Sequence, residues 1–265
     1  AEVGRWPWGR HRLAQLVDEL FDRQGVALLG FDVVFAEPDE SSGLAQMQKL
    51  AEGPLRNVQA YQDALKALTP EIDHDRRFAA SLQGRPVVLG YYLTSDREGR
   101  TSGRLPAPVF EPDVLAGRPF GASQWSGYGS NLAVLAEAAP MAGFVNAIPE
   151  IDGVVRSTPL IAEHNGRYYE SLALAMFRSL LQGASVSPGF VEADGATPDK
   201  ALLTSINLLK DRRLLPIPVD ERAAALVPFR SSATSLRRKS SFFISQPSVL
   251  TPRRTAEGKS MMRRL

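Results

Sequence analysis

The sequence contains no cysteine and no long apolar run. The absence of cysteine in 265 residues excludes disulfides, zinc–thiolate centres and a cysteine nucleophile. A membrane-spanning helix needs about 18 or more consecutive apolar residues, and no such window occurs. Residues 1–12, AEVGRWPWGRHR, also lack the apolar core of a signal peptide. Any membrane spans of the native protein are therefore expected outside this segment.

Histidine is scarce, and the common catalytic motifs are missing. His11, His74 and His164 lie far apart, without the spacing of metal ligands, so we predict solvated or capping roles for them. The sequence has no nucleophile elbow and no glycine-rich phosphate loop. It therefore predicts no catalytic residue, no metal and no cofactor.

The charge is distributed unevenly along the chain. Residues 230–265 hold nine Lys/Arg and one acid, which leaves 22 basic and 28 acidic residues in the remainder of a chain with net charge +2. A basic tail could meet phosphates of lipid or nucleic acid, but a solvated end is the preferred interpretation, with no nucleic-acid partner. We predict a domain over 1–230, followed by a basic tail over 231–265 that is poorly ordered or forms an incomplete edge of the domain.

The first half of the chain alternates helices and strands. Apolar residues between Leu13 and Phe21 recur at helical spacing, and Gly25 closes that helix. A buried strand over 26–35 follows, and a second is predicted over 86–93. Between them we expect two helices separated at Gly53-Pro54 and a third, capped by Asp73, that stops at Gly84.

The second half mixes predicted loops, hairpins and one more helix. Residues 95–129 and 184–200 are predicted to be loops, with Ser130 capping a short helix after the first of them. Asp152-Gly153 and Asn165-Gly166 are hairpin signals between apolar runs. The other predicted elements are a helix from Ser171 to Gly183 and strands over 202–209, 214–219 and 224–229. The pattern predicts a single α/β domain with a mixed sheet, parallel strands plus antiparallel hairpins, flanked by helices.

Three acids lie where the first buried strand runs out. Asp32, Glu37 and Asp39 belong to the stretch VALLGFDVVFAEPD at 26–39. Ligand sites of open α/β sheets lie at such strand ends, and oxygen donors suit a hard cation or a polar ligand. The alternative, which we prefer, is structural: acids beside a proline commonly form Asx turns.

Two further groups are candidates for ligand binding. Asn146, Asp152 and Arg156 cluster around the first hairpin signal, and Arg156 can form a bidentate pair with Asp152 or with Asp32. Trp6 and Trp8 can stack on a ligand, although aromatic residues at a helix entry more often pack onto the core.

Four motifs occur in a characteristic order. They are GRWPWGR at 4–10, GFDVVFAEPD at 30–39, GFVNAIPEIDGVVRSTPL at 143–160 and YYESLALAMFR at 168–178. Together they resemble the CHASE type-two domain, the second class of cyclase/histidine-kinase-associated sensory extracellular domains. The resemblance covers roughly residues 4–230.

The resemblance implies a bacterial receptor input domain outside the cytoplasmic membrane. It implies membrane spans that lead to an adenylate or guanylate cyclase, a histidine kinase or a Ser/Thr kinase, and it implies no catalytic residues. The expected partner is an unidentified small-molecule or protein ligand, and a homodimer is also expected. Two alternatives remain: a cation-dependent enzyme that uses Asp32, Glu37 and Asp39, and a dimerisation module that uses the tryptophans or residues 95–129.

Overall fold

Helices and short strands alternate through most of the chain. The computed structural model describes residues 7–149, 151–192 and 197–227, together with the backbone of three short strands between residues 242 and 261. The helices are α1 (Arg10–Asp18), α2 (Leu44–Glu52), α3 (Gln59–Ile72), α4 (His74–Leu82), α5 (Ala133–Ala138) and α6 (Leu172–Leu180). The strands are β1 (Leu29–Phe31), β2 (Val87–Thr94), β3 (Thr101–Ser102), β4 (Ser123–Trp125), β5 (Gly127–Gly129), β6 (Ala142–Phe144), β7 (Ser157–Pro159), β8 (Ile161–His164), β9 (Arg167–Glu170), β10 (Ser185–Val191), β11 (Leu202–Lys210), β12 (Arg213–Pro218), β13 (Ala224–Leu226), β14 (Phe242–Ile244), β15 (Arg253–Arg254) and β16 (Ser260–Met261).

The central sheet is built around β2. Strands β14, β1, β2 and β6 run parallel, and the last residues of β2 pair antiparallel with β5, which carries β3 at its far side. The register places Leu29 beside Val87 and Leu89 beside Ala142. The predicted single α/β domain with a mixed sheet is therefore confirmed.

One face of this sheet is covered by α1, α4 and α5. Phe31, Phe35 and Phe78 meet edge to face, with ring centroids 5.1 to 5.7 Å apart. Leu13 and Val17 of α1 are buried in the same core. Because apolar burial is the main favourable term in folding, this core fixes where α1 and α4 lie against β1.

The opposite face is covered by α6. Gly30 on β1 and Gly143 on β6 carry no side chain that would collide with this helix. A Cβ at Gly143 would lie 2.4 Å from the backbone nitrogen of Leu172, and one at Gly30 would lie 2.3 Å from Met176 Sδ. The glycines therefore let the first turn of α6 approach the backbone of the sheet.

A second group of strands surrounds its own core. The β8–β9 hairpin turns at Asn165-Gly166, whose φ angles of 50° and 73° are those of a type I′ turn, as predicted. Strands β10, β11 and β12 form an antiparallel sheet. Phe110 stacks on Tyr168 at 4.9 Å in the core between these layers.

The helix boundaries largely follow the sequence signals. Gly25 ends the first helix with φ 62°, after a π-helical turn over Glu19–Arg23. The side chains of Asp73 and Ser171 accept hydrogen bonds from the backbone nitrogens of Arg76 and Leu174 and so cap α4 and α6. The predicted break between α2 and α3 is also present.

Two predictions in the middle of the chain are wrong. Residues 151–153 do form a turn, but β6 pairs with β2 and β7 pairs with β13, so within the described part of the chain the strands on either side of Asp152-Gly153 do not pair with each other. A turn signal is local and does not select the partner of a strand. Ser130 does not cap α5, since its hydroxyl donates to the carbonyl of Arg104 at 2.7 Å.

Both predicted loops contain strands. Residues 95–129 hold β3, β4, β5 and a 3-10 turn at Pro112–Leu115, and residues 184–200 hold β10. Several of the glycines that suggested a loop are required by close contacts with the backbone: a Cβ at Gly127 would lie 2.3 Å from the carbonyl oxygen of Arg100. The strand predicted over 26–35 is also shorter, since only Leu29–Phe31 pair with neighbours.

Whether the basic tail over 231–265 is poorly ordered or forms an incomplete edge of the domain remains a prediction. Most of residues 231–265 lie outside the described residues, although the backbone of Phe242–Ile244 pairs in parallel with β1. Among the helices that the structure describes, none is both long and apolar enough to cross a bilayer.

Candidate functional site

Five polar side chains meet where β1 ends and α1 and α4 begin. They are Arg10, His11, Asp39, His74 and Asp75, and we call them the Asp39 cluster. After β1 the chain continues to Asp39, which caps a 3-10 turn by accepting a hydrogen bond from the backbone nitrogen of Ser41 at 2.8 Å. The other carboxylate oxygen of Asp39 accepts one from the backbone nitrogen of Arg10 at 2.6 Å. Gly9 offers α1 no side-chain cap, so Asp39 supplies one from 29 residues away.

Asp75 and Arg10 complete the connection between the elements. Asp75 accepts a hydrogen bond from the backbone nitrogen of Asp39 at 2.8 Å and lies 3.4 Å from Arg10 Nε. The Arg10 guanidinium also donates to the carbonyl of Glu37 at 3.1 Å and lies over the ring of Phe35 at 4.5 Å. Only 16% and 15% of the Arg10 and Asp75 side chains are exposed, so the pair is largely shielded from solvent.

The two histidines of the cluster lie side by side. The ring centroids of His11 and His74 are 4.5 Å apart, although the two residues are 63 positions apart in the sequence. His74 Nδ1 lies 3.2 Å from the Asp39 carboxylate and 3.3 Å from Ser41 Oγ. The buried Nδ1 of His11 has no hydrogen-bond partner among the described residues. The prediction of separate solvated or capping histidines is therefore wrong for this pair.

Burial and hydrogen bonds act in opposite directions on the acids of the cluster. Burial alone would raise the pKa of Asp39, but hydrogen bonds from Ser41 and Arg10, together with the charge of His74, hold that pKa below its ordinary value. The pKa of Asp75 is raised by burial despite the hydrogen bond from Asp39 and the charge of Arg10. The pKa of His11 is lowered by burial and then by the neighbouring His74 and Arg12.

The three predicted acids do not converge on one point. Among the described residues, Asp39 forms a ligand-spaced group only with His11 and His74, not with Asp32 or Glu37. Asp32 is half-buried, burial raises its pKa, and no hydrogen bond or ion pair reaches its carboxylate from the described part of the chain. The Glu37 side chain is exposed. The proposed cation site of three acids thus lacks the geometry that one ion requires.

Two asparagine side chains form hydrogen bonds with the backbone of the central sheet. Asn146 accepts from Leu93 N at 2.8 Å and donates to Leu93 O at 2.9 Å, which extends the pairing of β6 with β2. The buried Asn131 accepts from Phe35 N and donates to Gly90 O, each at 2.9 Å, and bridges the chain after β1 to β2. The sequence pattern predicted a ligand role for Asn146 and no role for Asn131.

A separate cleft of about 650 Å³ contains another predicted residue, Asp152. It is lined by Ser123, Ile148, Pro149, Ile151, Asp152, Ser157, Pro159, Asp220, Arg222 and Ala224. Arg156 binds Asp152 through two hydrogen bonds of 3.0 and 2.7 Å, which confirms the predicted bidentate pair. Both side chains are about half exposed. Hydrogen bonds from Arg156 and from the backbone of Val154 lower the pKa of Asp152.

Of the two tryptophans predicted to stack on a ligand, only Trp8 lies within the described residues. Trp6 lies outside the described residues. Trp8 is half-buried and packs against the main core, which is the structural alternative to ligand stacking.

The cluster residues that the sequence did not predict have no local signature. Arg10 closes the GRWPWGR motif and Asp75 follows the capping Asp73, but the signal that joins them is spatial. His11 and His74 are likewise brought together only by the fold, and no sequence motif links them.

Comparison with known proteins identifies the family of this chain. Searches of curated proteins and of solved structures returned no match. The family model of the CHASE2 domain, in contrast, matches residues 1–259 of the 265. The chain therefore belongs to the CHASE2 domain family, whose members are sensory extracellular domains.

Proposed function

We propose that this chain is the extracytoplasmic input domain of a bacterial transmembrane receptor. Its membrane spans would lie outside the present sequence and would lead to a nucleotide cyclase or a protein kinase. The observation that carries the proposal is the family match over residues 1–259, because that family is sensory, extracellular and non-catalytic.

We further propose that a small molecule is recognised in the cleft that contains Asp152. Its volume of about 650 Å³ falls within the usual range for small-molecule sites. The lining combines apolar side chains such as Ile148 and Ile151 with the charged groups of Asp152 and Arg222. A ligand there would bias the receptor by binding one of its conformations more tightly than another.

Topology mapping of the intact gene product tests the receptor proposal. Alkaline phosphatase and green fluorescent protein would be inserted separately at the exposed turn of Arg97 and Glu98. An extracytoplasmic domain gives an active phosphatase fusion and a dark fluorescent fusion. A fluorescent fusion with an inactive phosphatase would place the domain in the cytoplasm and overturn the proposal.

Self-association is a further part of the proposal. Neither α2 nor α3 buries a residue, and Leu50, Val58 and Leu68 are 44 to 45% exposed on this helical pair. Exposed apolar positions of this kind occur at protein–protein interfaces and also on ordinary surfaces. Light scattering at rising concentration distinguishes the two, since a monomer at every concentration excludes a dimer formed by this domain alone.

A further inference from the structure

The Asp39 cluster places imidazole nitrogens and a carboxylate at the spacing of metal ligands. One nitrogen of His11, one nitrogen of His74 and one oxygen of Asp39 all lie within 4.8 Å of one another. Donors bound to one tetrahedral zinc ion lie about 3.4 Å apart, given the usual bond lengths. His74 Nδ1 and Asp39 Oδ2, at 3.2 Å, already have that separation. A small shift of the His11 ring would complete a three-ligand face.

His11 supplies a second, independent observation. Its Nδ1 is buried and has no hydrogen-bond partner among the described residues. Leaving a polar atom buried without a partner is unfavourable, so such an atom in a native structure calls for an explanation. A Cβ at residue 9 would lie 3.0 Å from this nitrogen and 2.6 Å from Ser41 Oγ, and glycine leaves the approach open.

The surrounding contacts hold the carboxylate in place. Asp39 is fixed by the backbone nitrogens of Arg10 and Ser41, and its own backbone nitrogen donates to Asp75. Such contacts orient metal ligands, and losing one typically weakens metal affinity about 10–100-fold. The guanidinium of Arg10 is directed to Asp75 and to the Glu37 carbonyl, which offsets its charge.

We propose that His11, Asp39 and His74 bind a divalent cation of the zinc class. Two imidazoles and one carboxylate suit zinc, copper or nickel, whereas magnesium and calcium require oxygen donors. The three residues come from α1, from the loop after β1 and from α4, so a bound ion would clamp these elements together. The proposal is independent of the receptor function and of the cleft around Asp152.

Calorimetric titration of the tag-free protein with zinc chloride tests the site. We expect one zinc ion per chain, a rise in the thermal midpoint on zinc addition, and no binding of magnesium or calcium under the same conditions. His11→Gln, His74→Gln and Asp39→Asn should each weaken zinc binding at least tenfold, as even losses of supporting contacts weaken metal sites about 10–100-fold. Asp63→Asn, which changes an exposed carboxylate on α3, should leave zinc binding unchanged.

Several results would overturn the proposal. One is an absence of zinc binding by the wild-type protein. Another is an unchanged affinity in the double variant His11→Gln/His74→Gln, because zinc would then be bound elsewhere on the chain. If the variants fail to fold, zinc-edge anomalous scattering from crystals of the zinc-treated wild-type protein decides. Density between the three side chains supports the site, and density elsewhere or no density refutes it.

Discussion

The Asp39 cluster and the cleft around Asp152 use the same residue types in opposite ways. In the cluster, hydrogen bonds join groups that lie 27 to 36 residues apart in sequence, and the Asp39 side chain is only 7% exposed. In the cleft, Asp152 pairs with Arg156 four residues away, and the two side chains are 52% and 46% exposed. An aspartate next to an arginine is therefore part of the scaffold in one region and a surface group in the other.

Burial decides the difference between the two regions. A shielded carboxylate is costly to leave without partners, so the cluster has little freedom to change. Exposed ion pairs contribute little to stability and are free to exchange partners. The cluster is accordingly suited to hold α1 and α4 against β1, while the cleft is suited to respond to a ligand.

The largest expected effect is the loss of stability on removing the Asp39 side chain. Asp39→Ala deprives the backbone nitrogens of Arg10 and Ser41 of their acceptor and removes the carboxylate that contacts His74. We expect the free energy of unfolding to fall by about 3 kcal/mol. Urea denaturation of the isolated domain measures the change.

Asp152→Ala is the matched control in the cleft. Because Asp152 is exposed and its partner is local, its removal should leave the urea midpoint unchanged within error. Equal losses in the two variants would remove the proposed distinction between scaffold and surface.

A smaller effect is expected when only the charge of Asp39 is removed. Asp39→Asn keeps one acceptor oxygen but loses charge-assisted hydrogen bonds, which should cost about 1–2 kcal/mol at neutral pH. The folded-state pKa of Asp39 lies below its ordinary value. The stability that its carboxylate contributes is thus fully present above the unfolded-state pKa of about 3.9 and is lost as the pH falls through the folded-state pKa.

The pH dependence of the difference checks this assignment. Urea midpoints of the wild-type protein and of Asp39→Asn should differ at pH 7 and converge as the solution is acidified below pH of about 4. A difference that stays constant over this range would show that shape, and not charge, makes Asp39 important.

Contacts between residues that are close in the sequence could be predicted from the sequence alone. The caps by Asp73 and Ser171 act within three residues, and the turn at Asn165-Gly166 is encoded by its own two residues. The Asp152–Arg156 pair spans four residues. Signals of this range can be recognised in a single sequence.

Contacts between distant residues could not be predicted in the same way. The Asn131 side chain forms hydrogen bonds with the backbone of Phe35, 96 residues earlier, and of Gly90, 41 residues earlier. The residues next to Asn131 in the sequence indicate neither partner. The pairing of β6 with β2 in place of a hairpin, and the meeting of His11 with His74, likewise depend on how the sheet is assembled. The order of four motifs identified the family, but it did not reveal which side chains touch.

Asp32 offers a test in which stability should increase. Its carboxylate is half-buried without a partner among the described residues, and burial raises its folded-state pKa above the unfolded value. Ionised Asp32 therefore destabilises the fold at pH values above that raised pKa, and the penalty vanishes below the unfolded-state pKa of about 3.9. Asp32→Asn should stabilise the domain at pH 7 by less than about 1 kcal/mol, with no difference near pH 3.

A functional measurement gives this result its meaning. If Asp32→Asn is more stable yet abolishes the output of the intact receptor, the acid is retained for signalling at the expense of stability. Destabilisation at pH 7 would instead mean that Asp32 has a stabilising partner, and its assignment as a destabilising, unpaired acid would be wrong.

The smallest change in stability is expected at the rim of the cleft. Ile151 lines the cleft and its side chain is fully exposed, at 110% of the reference area. Ile151→Ser should therefore leave the thermal midpoint of the domain unchanged, because no buried apolar area is lost. If the cleft receives the ligand, the same substitution should reduce the response of the receptor output. Leu202→Ser is the matched control, since Leu202 is 69% exposed and does not line the cleft. A response that survives in Ile151→Ser, or that is lost equally in Leu202→Ser, would show that the ligand binds elsewhere on the domain.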